Sequence, residues 1–138
     1  MNLDLNSEFG LNVDQRLRQE EVIWLTTVAP DGTPHPNPVW FCWDGQEIIL
    51  YSQPSAYRIR NLKLNPKVSL NLQGASPSGE DVVVIYGEAK MDPHYQRPHL
   101  GYTQKYQQYL PEMNLTQEQL AATYSVEIRV KPTRFRGM

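Results

Sequence analysis

The sequence predicts a mostly β fold with short helices, arranged as a six-stranded antiparallel sheet that closes into a barrel. Two observations carry this. Six runs have strand character, and short turns rather than long helices join most of them. A doubly wound parallel sheet would need a helix after nearly every strand, and this chain lacks those. The 138 residues read as a single domain, 1–138, with no internal repeat, low-complexity tract or linker. A chain of this length can bury roughly two-thirds of its unfolded surface.

Residues 1–10 read as an arm with weak local order. Asn12 or Asp14 caps a short helix running to Glu21, with Leu17 as its main apolar contact. Residues 22–28 (VIWLTTV) are apolar and β-branched, hence a strand. Residues 29–34 (APDGTP) form a turn, with Pro and Gly where turns use them. The stretch from His35 to Pro66 organises the rest. Its first strand carries Val39, Phe41 and Trp43 on one face, and Trp40 and Cys42 on the other. Asp44-Gly45 signals a tight hairpin, because a two-residue primed turn needs positive φ. Ile48 to Ser52 is the return strand, and Gln53-Pro54 breaks it. Ser55 caps a helix containing Arg58, Arg60, Asn61 and Lys63. Asn65-Pro66 stops that helix, since the residue before Pro avoids the α region.

Residues 67–73 (KVSLNLQ) alternate, so they make a half-buried strand. Residues 74–81 (GASPSGED) are a loop by composition. Residues 82–91 (VVVIYGEAKM) are the most strand-like run, and Gly87 marks a bulge or a close backbone approach. Tyr102, Tyr106 and Tyr109 share a helical face before Pro111. Thr116 or Asn114 caps another short helix. Residues 125–131 (SVEIRVK) alternate strictly and form the last strand, followed by the tail PTRFRGM.

A formal charge of -2 excludes the basic field of a nucleic-acid binder. Cys42 is the single cysteine, so no internal disulfide forms and a reducing, cytoplasmic home is expected. The start of the chain lacks the pattern of a secretion signal. No apolar run approaches the ~20 residues of a spanning helix, so no membrane partner is expected. His35, His94 and His99 make no metal pattern with one cysteine, and no metal site is expected. Cys42 reads as inert core. There is no Ser-His-Asp elbow, P-loop or GxGxxG.

The sharpest chemistry lies after Ser52. A helix starting near Ser55 offers free N–H groups and a positive dipole end to a phosphate. Arg58 and Arg60 add charge-assisted bonds. The competing reading is a solvated basic face continued by Lys63 and Lys67, and charge alone does not separate the two. Trp40, Phe41 and Trp43 either flank a ring or fill a barrel core.

The order of aromatic strand, Asp-Gly hairpin, Tyr-Ser, basic helix, Asn-Pro and alternating strand resembles the pyridoxamine 5'-phosphate oxidase-like family. These are split β-barrels that bind flavin or deazaflavin. The segments that carry the resemblance are PHPNPVWFCWDGQEIILYS, RIRNLKLNPKVSL and VIYGEAKM, within residues 20–91, with EIRVKPTRFRG adding less. The resemblance implies a six-stranded antiparallel split β-barrel. It implies an oxidoreductase that uses FMN, or an 8-hydroxy-5-deazaflavin coenzyme, to move hydride to a small molecule. The ring edge would lie along Asn37, Pro38, Val39 and Trp40. Tyr51 and Ser52 would sit at the ribityl–phosphate junction, and Arg58, Arg60 and Asn61 at the phosphate. A homodimer with cofactor sites at its interface is implied as well.

The Ser-Arg-Lys of the true oxidases is Ala56-Tyr57-Arg58 here, and RIRNL resembles the smaller reductase branch. RVKPTRFRGM has no match to the family's grip on pyridoxal substrates. Gly79-Glu80-Asp81 lies where partner-subunit contacts are expected. No catalytic acid or base is assigned, because the cofactor carries the hydride chemistry. The alternatives are a non-catalytic flavin or haem carrier on the same barrel, and a dimeric interaction domain without cofactor.

Overall fold

The computed structural model describes residues 3–137. Seven strands and four short helices form among these residues. The strands are β1 (Ile23–Val28), β2 (Pro34–Val39), β3 (Cys42–Trp43), β4 (Ile48–Ser52), β5 (Lys67–Leu72), β6 (Val83–Asp92) and β7 (Val126–Gly137). The helices are α1 (Glu8–Gln19), α2 (Tyr57–Leu64), α3 (Leu100–Tyr106), which a 3-10 turn extends through Tyr109, and α4 (Gln117–Thr123). All pairings are antiparallel, in the order β2-β1-β5-β6-β7-β4-β3. Among the described residues no helix is long and apolar enough to cross a membrane.

Chain connectivity forces the sheet to curl. Laid flat, the edge strands of seven would stand about 29 Å apart at ordinary strand spacing. Only Trp40 and Phe41 separate β2 from β3, and three Cα steps span at most about 11 Å. The two edges must therefore come close, leaving a seam at Trp40–Phe41. The mostly β, half-barrel class agrees with the sequence expectation, but the strand count is seven rather than six. The expected single strand ending at Trp43 breaks where the chain leaves its partner β1 and joins β4.

The seam's backbone polar groups need partners, and α3 supplies them. The Phe41 N–H donates to the Tyr106 hydroxyl at 2.9 Å. Its carbonyl accepts from Lys105 Nζ at 3.1 Å. The Tyr106 hydroxyl in turn donates to the Glu21 carbonyl at 2.6 Å.

Strand β2 is an edge built against further pairing. The Ala29 N–H donates to the Thr33 carbonyl, so alternation along the ladder puts Pro34, Pro36 and Pro38 on the non-hydrogen-bonded rungs. Their missing N–H groups face the open edge, which thus presents acceptors alone.

Both faces of β4 are buried. Period-two alternation sends Ile48 and Leu50 into the main core and Ile49 and Tyr51 into a second, aromatic cluster beneath α3. Several boundaries differ from expectation. Ser7 caps α1, which starts at Glu8 rather than near Asn12 or Asp14. The hairpin turn centres on Gly45-Gln46, one residue later than expected. Gly45 takes φ +95°, and Asp44 Oδ1 accepts from the Gln46 and Glu47 N–H groups. β7 continues through the expected tail. A register shift at Tyr86/Gly87 leaves Thr133 without a ladder partner there, next to Pro132, which pairs with Gly87.

Candidate functional site

Helix α2 is the hinge of the site. It opens at Ala56 without a side-chain cap, rather than at Ser55. Arg58 and Arg60 are two residues apart, so they leave the helix in divergent directions. Each lines a different concavity.

Arg58 enters a cavity of about 260 Å³ beside the seam. Pro38, Val39 and Trp40 form one wall, with Tyr51 beside them. Tyr102, Met113, Leu120 and Tyr124, from α3, α4 and their connections, form the cover. Trp40 stacks on Tyr106, with ring centroids 4.4 Å apart and planes 6° from parallel. The half-buried Arg58 donates from Nη1 to Ser52 Oγ at 3.1 Å. Its Nε is buried with no hydrogen-bond partner among the described residues. Burial also lowers the guanidinium's pKa from its ordinary value. A half-buried cation with a buried spare donor at a cavity wall favours an anion there.

Ser52 itself is fully buried and donates to the Gln53 carbonyl at 3.0 Å. The Tyr51 ring lines the cavity, but its hydroxyl is committed elsewhere. It donates to Glu127 Oε2 at 2.8 Å and accepts from the His99 N–H at 2.7 Å. Burial, with the neighbouring Glu127 carboxylate adding, raises the Tyr51 pKa above the ordinary tyrosine value. Arg129 Nε holds the other Glu127 oxygen at 2.7 Å.

The second concavity is an open groove of about 840 Å³ along the first half of β2. Asn37, His35, Tyr57, Arg60 and Asp31 line it. The Arg60 guanidinium lies 5.5 Å from the Tyr57 ring centroid. His35 meets Tyr57 edge-on at 6.1 Å. Asn61 reaches neither concavity directly. It is fully buried, and its Nδ2 donates to Thr27 Oγ1 at 2.9 Å and to His35 Nδ1 at 3.0 Å.

The nine residues expected at the site thus divide. Pro38, Val39, Trp40, Tyr51 and Arg58 share the cavity. Asn37 and Arg60 share the groove. Ser52 and Asn61 sit behind them. Cys42 is buried and its thiol is pushed up to about 12, with burial the leading cause, so it is protonated and unreactive at neutral pH. Among the described residues no cluster of three His, Cys, Asp or Glu side chains could hold a metal. The Asp81 carboxylate is occupied by its own loop, accepting from the Ala75 and Ser76 N–H groups.

Residues absent from the sequence expectation are Glu127, Met113, Leu120, Tyr124 and His35. Glu127 falls on the polar phase of SVEIRVK and reads as solvent-facing. Its place directly opposite Tyr51 in the β4–β7 register buries it, and register is not visible in a single alternating run.

Comparison with known proteins agrees with this architecture. No curated protein sequence matches the chain. A candidate pyridoxamine 5'-phosphate oxidase from Listeria innocua superposes with a TM-score of 0.71 at 21% identity, over 95% of this chain and 98% of that one. A structure named F420 reductase gives 0.65 at 26% identity, over 89% and 94% of the two chains. HutZ, the heme storage protein from Vibrio cholerae, gives 0.65 at 17% identity, over 99% and 95%. The family model described as pyridoxamine 5'-phosphate oxidase matches residues 11–138, and this chain belongs to that family.

Proposed function

We propose that the protein is a flavin-dependent oxidoreductase that moves hydride to or from a small molecule, with FMN as its cofactor and an 8-hydroxy-5-deazaflavin coenzyme as the alternative. One observation carries the reading. Arg58 reaches a cavity walled by Pro38, Val39, Trp40 and Tyr51, with a buried guanidinium N–H left unpaired among the described residues. That donor set suits a flat ring with an anionic tail. When bound, the flavin supplies the hydride chemistry.

The chain's own residues bind and orient. Trp40, braced by Tyr106, supplies a rigid aromatic wall. The open edge of β2 offers the carbonyls of Pro36 and Pro38 to ring N–H donors. Arg58, steadied by Ser52, receives the phosphate, and Asn37 and Arg60 extend the polar surface along β2. Met113, Leu120 and Tyr124 exclude water from one side.

A cavity of about 260 Å³ lies below the ~300–1,000 Å³ typical of drug-sized ligand sites. A ring and its tail therefore need more wall than this cavity supplies. We read the missing wall as a second copy of the chain, in a homodimer with its cofactor sites at the interface.

The test is the visible spectrum of purified protein titrated with FMN and with the deazaflavin, alongside sedimentation. A perturbed flavin band and thermal stabilisation by one cofactor support the reading. Absence of both, for both cofactors, overturns it. A second reading, a non-catalytic flavin or haem carrier, draws on a cavity lining that, among the described residues, holds no His, Cys, Lys or carboxylate side chain, and in which the Tyr51 hydroxyl is already bonded. Steady-state turnover of the loaded protein with a reductant separates carrier from enzyme.

A further inference from the structure

We propose that α4 is a movable cover on the Trp40 cavity, and that the Tyr95 hydroxyl is the latch that holds it shut.

The cover has little of its own to keep it in place. Within residues 113–124, between the turn after α3 and the start of β7, Leu120 is the single buried side chain. Helix α4 has seven residues, and helices under ~12–15 residues are marginal alone in water. Its capping box, Thr116 with Gln119, is internal and ties the helix to nothing else. Its position must come from tertiary contacts.

Hydrogen bonding supplies one such contact. Among the described residues, every hydrogen bond from 113–124 to residues outside 110–124 comes from the Tyr95 hydroxyl. That hydroxyl donates to the Tyr124 carbonyl at 2.9 Å, with the Ala121 carbonyl at 3.4 Å. These are carbonyls that the end of a helix leaves without intrahelical partners. Tyr95 lies on the β6–α3 connection, and its ring packs on Tyr51 with centroids 5.0 Å apart. Tyr51 is pinned in turn by Glu127 and by the His99 N–H. The latch thus runs from the core, through two rings, to the C-terminal end of α4.

The cover closes over space rather than over packed core. Leu120 and Tyr124 line the cavity of about 260 Å³. They also line a gap of about 10 Å³, shared with Tyr51, Tyr95 and Tyr102, which is the lower limit for one water. A helix seated on two voids forfeits part of the dispersion contact that would hold it. Asn114, at φ +56°, bends the start of the segment in a conformation that Asn tolerates. The β4–β7 ladder begins only at Val126, so α4 can swing away and open the wall of Leu120 and Tyr124 with the sheet intact. That the admitted molecule is the flavin rests on the function proposed above; the latch does not.

The experiment is hydrogen exchange by mass spectrometry on the full chain, paired with stopped-flow binding of FMN. Lifted from the barrel, so short a helix unwinds, and its amides report the opening. Tyr95→Phe keeps a ring on Tyr51 and deletes the hydroxyl. Peptides covering 117–124 should exchange about three- to tenfold faster, the scale of one neutral hydrogen bond, while those of β5 and β6 stay unchanged. FMN should associate and dissociate faster by a similar factor with Kd nearly constant, because the cover stands in both paths. A residue that merely touched the ligand would raise dissociation alone. Thr116→Ala removes the cap at the exposed end of α4 and should move the same readouts, so it decides the matter if Tyr95→Phe fails to fold. Unchanged exchange in 117–124, acceleration spread equally over the sheet, or faster dissociation at unchanged association overturns the proposal. If FMN binds neither protein, the flavin reading fails and the exchange comparison alone decides the latch.

Discussion

The Arg58 guanidinium donates from Nη1 to the buried Ser52 hydroxyl at 3.1 Å, while its Nε has no partner among the described residues. Strand β4 thereby aims a residue of the next helix into the cavity beside Trp40. Ser52 keeps its own bond to the Gln53 carbonyl, so removing the arginine leaves no buried hydroxyl stranded. Arg58→Ala is expected to weaken FMN binding by about 10- to 100-fold, the range for a hydrogen bond to a charged group. Its melting temperature should fall by only a few degrees. Fluorescence titration and thermal melts of one preparation check both. An equal loss of melting temperature with unchanged FMN affinity would remove Arg58 from the site.

Tyr51→Phe keeps the ring on the cavity wall and deletes the hydroxyl. The His99 N–H and one Glu127 oxygen then lose their partner. The expected cost is ~1–3 kcal/mol in urea unfolding, with little change in flavin affinity. A large affinity loss at constant stability would instead mean that the hydroxyl touches ligand.

Gly87→Ala should destabilise the barrel by ~1–3 kcal/mol through overpacking. A Cβ there would sit 2.7 Å from Val130 Cγ1 and 2.8 Å from the Lys131 carbonyl oxygen. The β6–β7 bulge would have to open to relieve it. Denaturant midpoints at unchanged m-value measure the effect.

Alkaline pH separates the seam's lysine from its tyrosines. Burial lowers Lys105 from 10.5 to about 8. Between those values the unfolded chain binds more protons, so this group's contribution to stability rises with pH. Cys42, pushed up to about 12 from 9.0, and the buried Tyr51, Tyr102 and Tyr106, raised above 10.0, have the opposite sign. They keep protons in the folded state that the unfolded state loses, so stability falls above about pH 9 to 10. The wild type should therefore gain on Lys105→Gln between pH 8 and about 10.5. A gap between the two that does not change with pH would show that Lys105 titrates normally.

Much of the fold was legible because it rests on local patterns. KVSLNLQ alternates and forms β5, and Gly87 sits at a bulge whose close backbone approach excludes a side chain. Thr116 caps α4 with a capping box to Gln119. The break at Trp40–Phe41 was not legible. Its residues are good strand formers, and only the change of partner from β1 to β4 interrupts the ladder. Likewise, RIRNL shows two arginines near a phosphate-ready helix, but the sequence does not say that they leave it toward different concavities.

Residue order by itself determined the family, the antiparallel β character and the run of candidate residues from Asn37 to Asn61, because periodicity, turn chemistry and motif spacing are short-range properties. Tertiary structure alone decided which of those side chains meet. Strand register put Glu127 against Tyr51 and closed that hydroxyl off. Helical phase sent Arg58 to the aromatic cavity and Arg60 to the groove. Burial turned Asn61 inward, to hold His35. The first and third depend on contacts between residues far apart in the chain, and the second on which concavities the folded chain sets on either side of α2, so no local pattern encodes them.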